Sequence, residues 1–123
     1  MKRKKIDEMT SDELVERFMA ISLEQDDALL GSEISRFNRL FDQKIAVVSE
    51  LKARPGDQRE LLLKLFAHPN AQVRLNAAKA TLAVAYSAAR AQLQVIADSR
   101  EYPQAGDAGM SIRGLDDGTY KPA

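Results

Sequence analysis

The sequence predicts an all-α fold, a right-handed α-α superhelix in which about six helices form a short solenoid. Ala, Leu, Arg, Glu and Lys dominate the chain, and glycine and proline are sparse before residue 54. Apolar residues recur every three or four positions, as on the buried face of a helix. Two patterns also repeat: Arg59-x-x-Leu62-x-x-Leu65 returns 31 residues later as Arg90-x-x-Leu93-x-x-Ile96, and His68-Pro69-x-Ala71 returns 34 residues later as Tyr102-Pro103-x-Ala105. Such offsets are typical of stacked helix pairs.

The first helix is predicted to begin at Thr10 or Ser11. Thr10 and Glu13 have the spacing of a capping box, in which each side chain bonds the other residue's backbone N–H. The inward-facing residues are expected to be Leu14, Val15, Phe18, Met19 and Ile21.

The second predicted helix, about residues 25–54, is the longest. Seven apolar residues at spacings of three or four form one expected buried stripe: Leu30, Ile34, Phe37, Phe41, Ile45, Val48 and Leu51. Gly31-Ser32 could kink the helix or split it in two. The segment Arg54-Pro55-Gly56 ends it, because proline and glycine both interrupt helices.

Four shorter helices follow in the prediction. Asp57 is expected to cap the third, which turns Leu61, Leu62, Leu65 and Phe66 inward. Asn70 caps the fourth and Ser87 the fifth, which buries Ala89, Leu93 and Ile96. The sixth begins near Pro103, turns Ala105, Ala108, Ile112 and Leu115 inward, and ends at Asp117 before Gly118.

The fourth helix carries the most specific pattern, His68-Pro69-Asn70-x-x-Val73-Arg74-x-x-Ala77-Ala78-x-x-x-Leu82. The pattern resembles the second helix of a HEAT repeat, an armadillo-type helical unit, with asparagine in place of the usual aspartate cap. Together with the segment 101–110, the chain also resembles a small bacterial HEAT-like family of unknown function. The resemblance implies a scaffold without an activity. It also implies that Arg74 makes structural bonds between neighbouring repeats, with a ligand contact as the alternative.

Bulk properties place the chain in a broad class. We expect one HEAT-like domain over residues 1–123, with frayed ends at 1–9 and 119–123. Eighteen basic residues balance eighteen acidic ones, and there is no cysteine. No apolar segment follows the basic start, so we expect no signal peptide, no membrane span and a cytoplasmic protein.

Several patterns suggest chemistry and have simpler explanations. His68 is the single histidine, without an orienting partner nearby in the sequence. The carboxylates Glu24, Asp26 and Asp27 could hold a hard cation, but they also complement a helix dipole. Asp116-Asp117-Gly118 lacks the other ligands of a calcium loop and is interpreted as the end of a helix. The segment 106–109 lacks the lysine of a phosphate loop, and its two glycines are better explained by close helix packing. We therefore predict no catalytic residue, cofactor or metal.

The residues predicted to contact a partner are Asn38, Arg39, Gln72, Asn76 and Lys79. Asn38 is expected to border the core as a polar anchor. Gln72, Asn76 and Lys79 are expected to point outward from the fourth helix, on the concave side that solenoids use. Gly106 and Gly109 would leave room for a ligand beside them.

These features favour a non-catalytic module that binds a protein or peptide, as an adaptor or a regulator. The alternative is association with nucleic acid through a basic face formed by Arg36, Arg39, Lys44, Arg74 and Lys79, with Lys2–Lys5 as an arm. Zero net charge argues against it unless these residues cluster in space. An enzyme with a pocket around Asn38, His68 and Tyr102 is the third alternative. The oligomeric state remains open.

Overall fold

The computed structural model describes residues 4–123, and within that range the chain is helical and contains no strand. The helices are Ser11–Leu30 (α1), Ile34–Ala53 (α2), Ala71–Thr81 (α3), Tyr86–Asp98 (α4) and Gln104–Asp117 (α5), with 3₁₀ helices at Ile6–Glu8 and Gln58–Ala67. Two compact units are present: the first ends at Leu61, and the second runs from Leu62 to Ala123. The all-α class is confirmed.

The start of α1 is the predicted capping box. The backbone N–H of Glu13 donates to Thr10 Oγ1 at 3.1 Å, and the backbone N–H of Thr10 donates to Glu13 Oε1 at 2.9 Å. The bond from the Thr10 backbone, helped by Lys4, holds the pKa of the Glu13 carboxyl below its ordinary value. The helix buries Leu14, Val15 and Phe18 as predicted, while Met19 is only half-buried.

The predicted long second helix is two helices, because α1 ends at Leu30. The Glu33 N–H donates to the Ala28 carbonyl at 2.8 Å, and the Ser32 N–H donates to the Leu29 carbonyl at 3.2 Å. This bond pair is the Schellman motif, which requires a left-handed residue at its turn. Ser32 is this left-handed residue, with a φ angle of 55°. The chain then reverses and α2 packs along α1, so the expectation of one longest helix over 25–54 is corrected.

The buried face of α2 also differs from the predicted stripe. Its buried residues are Leu40, Val47 and Leu51. In contrast, Ile34 is 74% exposed, Phe41 44% and Ile45 46%. Once the chain breaks at residue 31, packing against α1 sets the rotation of α2. Most of the longest apolar stripe in the sequence therefore remains at the surface.

Arg54 ties the end of α2 to the start of the chain. Its Nη2 donates to the Met9 carbonyl at 2.6 Å, and its Nε donates to Glu50 Oε2 at 3.0 Å. Met9 itself is buried. At the other end, the Tyr120 N–H donates to the Gly114 carbonyl at 3.0 Å, and Tyr120 packs on the core of the second unit. Met9 and Tyr120, which lie within the segments expected to fray, therefore each have a packed side chain.

The predicted third helix is a 3₁₀ helix and not an α-helix. Its buried residues Arg59, Leu62 and Leu65 are three apart, which matches the three residues per turn of this helix. Asp57 acts at its start as predicted: Oδ1 accepts from the Arg59 N–H at 3.3 Å, and Oδ2 accepts from the Arg59 guanidinium at 2.6 Å. The guanidinium bond lowers the pKa of Asp57.

In the second unit, α4 contacts both α3 and α5. The buried core consists of Leu75, Ala78, Leu82, Ala89, Leu93, Ile96 and Ala108. The predicted cap at Ser87 is wrong. The helix α4 already begins at Tyr86, and Ala85 occupies the capping position without a side-chain bond. Gly118 ends α5 in the left-handed conformation, with φ 82°, as predicted.

Candidate partner-binding groove

One face of α5 forms the floor of an open groove of about 810 Å³ in the second unit. Its lining residues are Lys79, Pro103, Gly106, Asp107, Met110, Ser111, Gly114, Thr119 and Tyr120. Gly106, Met110 and Gly114 are four residues apart and therefore lie on one face of the helix. Of the five predicted partner residues, the groove includes Lys79 alone.

The glycines of α5 differ in their surroundings. A Cβ on Gly114 would lie 3.0 Å from Tyr120 Cβ, so this glycine lets the end of the chain fold back over the helix. A Cβ on Gly106 would be 3.8 Å from the ring of Tyr102, and one on Gly109 would meet nothing within 4 Å. Close packing therefore does not explain Gly106 and Gly109, and that prediction is corrected. Gly106 lines the groove, so there is space beside it as expected. Gly109 does not line the groove.

Three polar side chains of the groove, Lys79, Asp107 and Ser111, are bonded to one another. Lys79 Nζ lies 3.0 Å from Asp107 Oδ1, and Ser111 Oγ donates to the same oxygen at 3.3 Å. The apolar groups are the more exposed: Met110 is 73% exposed, and Tyr102, beside Gly106, is 71% exposed. The groove thus presents the Met110 thioether beside a neutralised ion pair, and the exposed Tyr102 ring lies next to Gly106.

Gln72 and Asn76 do not point outward, so that prediction is wrong. Both are buried, together with Gln104. Gln72 Nε2 donates to Asn76 Oδ1, and Gln104 Nε2 donates to Gln72 Oε1, each at 3.0 Å. Buried amides need such partners. The bonds join α3 to α5, and the polarity of Gln72 and Asn76 in the sequence concealed their structural role.

Asn38 and Arg39 lie on α2 in the first unit, and both are exposed. Asn38 does not border the core as predicted, because the rotation of α2 turns it away from α1. Arg39 lines a small polar recess of about 180 Å³ with Glu24, Arg36, Leu40 and Gln43.

The other candidates have structural partners. His68 Nδ1 accepts from the Asn70 N–H at 3.0 Å, in the turn before α3. Arg36 Nη1 is 2.8 Å from Asp27 Oδ2, which raises the pKa of Arg36, and its Nη2 is 3.7 Å from Glu24 Oε1. Residues 4–123 contain no group of three or more metal-ligating side chains.

Three of the five basic residues considered for a nucleic-acid face pair with acidic side chains, namely Arg36, Arg74 and Lys79. Arg74 pairs with Glu101 at 3.6 Å, and its Nη2 donates to the Pro69 carbonyl at 3.4 Å. Lys44 lies over the Phe41 ring, 4.6 Å from its centroid. The first part of the proposed basic arm, Lys2 and Arg3, lies outside the described residues.

Comparison with known proteins identifies the family. The model of the family described as "Domain of unknown function (DUF2019)" matches residues 12–116. The chain belongs to the DUF2019 family. A solved structure, the crystal structure of the protein RPA1889 from Rhodopseudomonas palustris CGA009, is similar to it with 57% sequence identity and a TM-score of 0.94. The match covers 98% of this chain and 100% of that one.

Neither description states an activity. No curated protein matches the chain. Within residues 4–123, no helix is both long and apolar enough to cross a membrane.

Proposed function

We propose that this DUF2019 protein is a non-catalytic protein-binding module built on HEAT-like repeats, and that the α5 groove holds a segment of its partner. The observation that carries the proposal is the exposure of Met110 on the glycine-containing face of α5 that lines the groove, with the exposed ring of Tyr102 next to Gly106. Exposed apolar side chains around a concavity are typical of interaction sites. Methionine suits this use, because its flexible thioether adapts to different partner side chains.

The polar chemistry of the groove supports binding over catalysis. Asp107 is bonded to both Lys79 and Ser111, so its carboxylate is occupied by structural partners. A reaction centre would need a nucleophile or base directed at a substrate. The ion pairs of Arg36, Arg74 and Lys79 likewise count against a continuous basic face for nucleic acid.

The HEAT-like arrangement is part of the same proposal. It is supported by Asn70, whose Oδ1 accepts from the N–H groups of Gln72 and Val73 at 2.8 and 3.2 Å, and by the burial of Val73 and Ala77. The 3₁₀ conformation of Gln58–Ala67 departs from the α-helix that such a repeat has at this point. Helix pairs that fail to stack as a right-handed superhelix in an experimental structure would contradict this part.

The test fills the groove without unfolding the helix. Gly106→Leu places a branched side chain on the groove floor, whereas Gly109→Leu adds the same side chain to the same helix outside the groove lining. Each variant and the unaltered chain would be immobilised and used to capture partners from lysate of the producing cells, followed by titration with the captured protein. We expect Gly106→Leu to weaken binding at least tenfold, and Gly109→Leu to leave it unchanged. Equal binding by all three chains, with equal helical content by circular dichroism, would contradict the proposal.

A further inference from the structure

Met110 differs from the other methionines that the structure describes in how open it is to solvent. It is 73% exposed, whereas Met9 is 7% exposed and Met19 is half-buried. An oxidant in solution must reach the sulfur atom of a methionine before it can react there, so exposure favours oxidation. Within residues 4–123, the most accessible thioether is therefore the one that lines the α5 groove.

The neighbours of Met110 on α5 account for this exposure. On the surface of a helix, the side chains that can cover a residue lie three and four positions away. Gly106 and Gly114 occupy both positions four residues away, and neither has a side chain. Of the residues three positions away, Asp107 is held in an ion pair and Arg113 is exposed. The sequence of α5 thus leaves the thioether uncovered on the groove face.

We propose that Met110 is a redox modification site, at which a hydroperoxide forms methionine sulfoxide and thereby releases the segment bound in the α5 groove. The release rests on the function proposed for the groove. In the reaction, an S–O bond forms while the O–O bond of the peroxide breaks. The proton of the transferred hydroxyl moves to the departing oxygen, which leaves as water or an alcohol. The sulfur is oxidised by two electrons and the peroxide is reduced by two.

Sulfoxide formation changes the groove at an exposed apolar side chain. The thioether is flexible, apolar and only a weak hydrogen-bond acceptor, whereas the sulfoxide is polar and chiral. A partner that covers the thioether loses little hydration there. The same partner must leave the sulfoxide oxygen without its water, which is unfavourable unless a new donor replaces it. The oxidised chain is therefore expected to bind the partner more weakly, without a change in the helix itself.

The modification is reversible, because methionine sulfoxide reductases restore the thioether. In that step the S–O bond breaks, the oxygen leaves as water, and two thiols of the reductase form a disulfide. Since Met110 is exposed, a reductase can reach its sulfoxide in the folded chain. The buried Met9 does not offer this access.

The first test reads the site of oxidation and needs no partner. The full chain would be treated with hydrogen peroxide for increasing times, digested with trypsin and analysed by mass spectrometry. Cleavage after lysine and arginine places Met9, Met19 and Met110 on separate peptides, 6–17, 18–36 and 101–113. We expect Met110 to be oxidised about tenfold faster than the other two, with unchanged helical content by circular dichroism. Oxidation of Met110 no faster than that of Met19 would overturn the proposal.

The second test measures binding of the partner captured by the unaltered chain. Each chain would be titrated with that partner before and after oxidation, once the peroxide has been removed. We expect oxidation to weaken binding about tenfold in the unaltered chain and in the matched control Met19→Leu, and a reductase to restore it. Met110→Leu keeps a similar side-chain volume without the sulfur, so its affinity should be the same before and after oxidation. Equal affinity of the reduced and oxidised unaltered chain would overturn the release, and so would an equal loss in Met110→Leu.

Failure of this proposal and failure of the proposed function give different results. If the unaltered chain captures no partner, the function proposed for the groove is wrong and the release is wrong with it, while the peptide masses still decide whether Met110 is the modification site. If Gly106→Leu weakens binding and oxidation does not, the groove binds a partner but Met110 does not regulate it.

Discussion

At the scale of single residues, backbone conformation decides several features that side-chain chemistry alone does not. Ser32 and Asp57 adopt positive φ angles of 55° and 49°, although neither is glycine. Asp57 is held by its bonds to Arg59, and Ser32 by the Schellman bonds at the end of α1. Gly109, in contrast, is a helical glycine that neither needs a positive φ nor touches a neighbour.

Gly109→Ala should stabilise the chain, because alanine loses less backbone entropy in a helix and its Cβ enters open space. We expect a gain of about 0.5–1 kcal/mol in the free energy of unfolding, measured by urea denaturation. Gly118→Ala is the matched control at the end of the same helix. Since Gly118 has φ 82°, alanine there should destabilise by about 1 kcal/mol. A loss of stability in Gly109→Ala would show that the space beside it is filled.

At the scale of elements, the apolar periodicity predicted the positions of the helices well. It predicted less well whether a helix is α or 3₁₀, and which of its faces is buried. The pattern Arg59-x-x-Leu62-x-x-Leu65 fits both an α-helix and a 3₁₀ helix, since the two differ by only about 0.6 residue per turn. For α2, two apolar faces compete, and the one with fewer residues is buried. In α3, Val73 and Ala77 are fully buried as predicted, whereas Ala80 is half-buried.

Ala77→Leu should overpack the buried face of α3. Ala77 has no exposed surface, so three further carbon atoms must displace neighbouring side chains. We expect a loss of about 1–3 kcal/mol in the free energy of unfolding, measured by urea denaturation. Ala91→Leu, at an exposed position of α4, should change stability by less than about 0.5 kcal/mol. An unchanged denaturation midpoint for Ala77→Leu would mean that this face has room to accept the larger side chain.

At the scale of the whole molecule, charge is balanced both in number and in space. The formal net charge is zero. Ion pairs such as Arg90–Asp116 at 2.6 Å and Lys79–Asp107 at 3.0 Å distribute opposite charges over the surface. A chain with this distribution has little field to attract a polyanion.

We therefore expect no binding to short duplex DNA at low salt, measured by fluorescence anisotropy. The positive control is the double variant Asp107→Lys and Asp116→Lys, which raises the net charge by four and releases two basic partners. It should gain weak binding that falls as salt increases, because neutralising phosphates releases counterions. Tight binding by the unaltered chain, with a steep salt dependence, would support the nucleic-acid alternative.

The sequence by itself determined the all-α class, the capping residues Thr10 and Asn70, and several buried apolar residues, namely Val73 and Ala77 in α3 and Leu93 and Ile96 in α4. These features depend on local hydrogen bonds and on helical spacing, which are contained within a few turns of chain. It also indicated open space at Gly106. The sequence did not reveal the groove. The spacing of four residues between Gly106, Met110 and Gly114 could have indicated that the three lie on one face of a helix.

Only the tertiary structure decided which polar residues are buried and which apolar residues remain exposed. Gln72 and Asn76 are buried because Gln104, 32 residues beyond Gln72 in the sequence, completes their hydrogen bonds. Asn38 is exposed, and so are the apolar residues Ile34, Phe41 and Ile45 of the same helix, because packing of the opposite face of α2 on α1 sets the rotation of the helix. Both outcomes depend on contacts between helices, which the periodicity of a single helix does not contain.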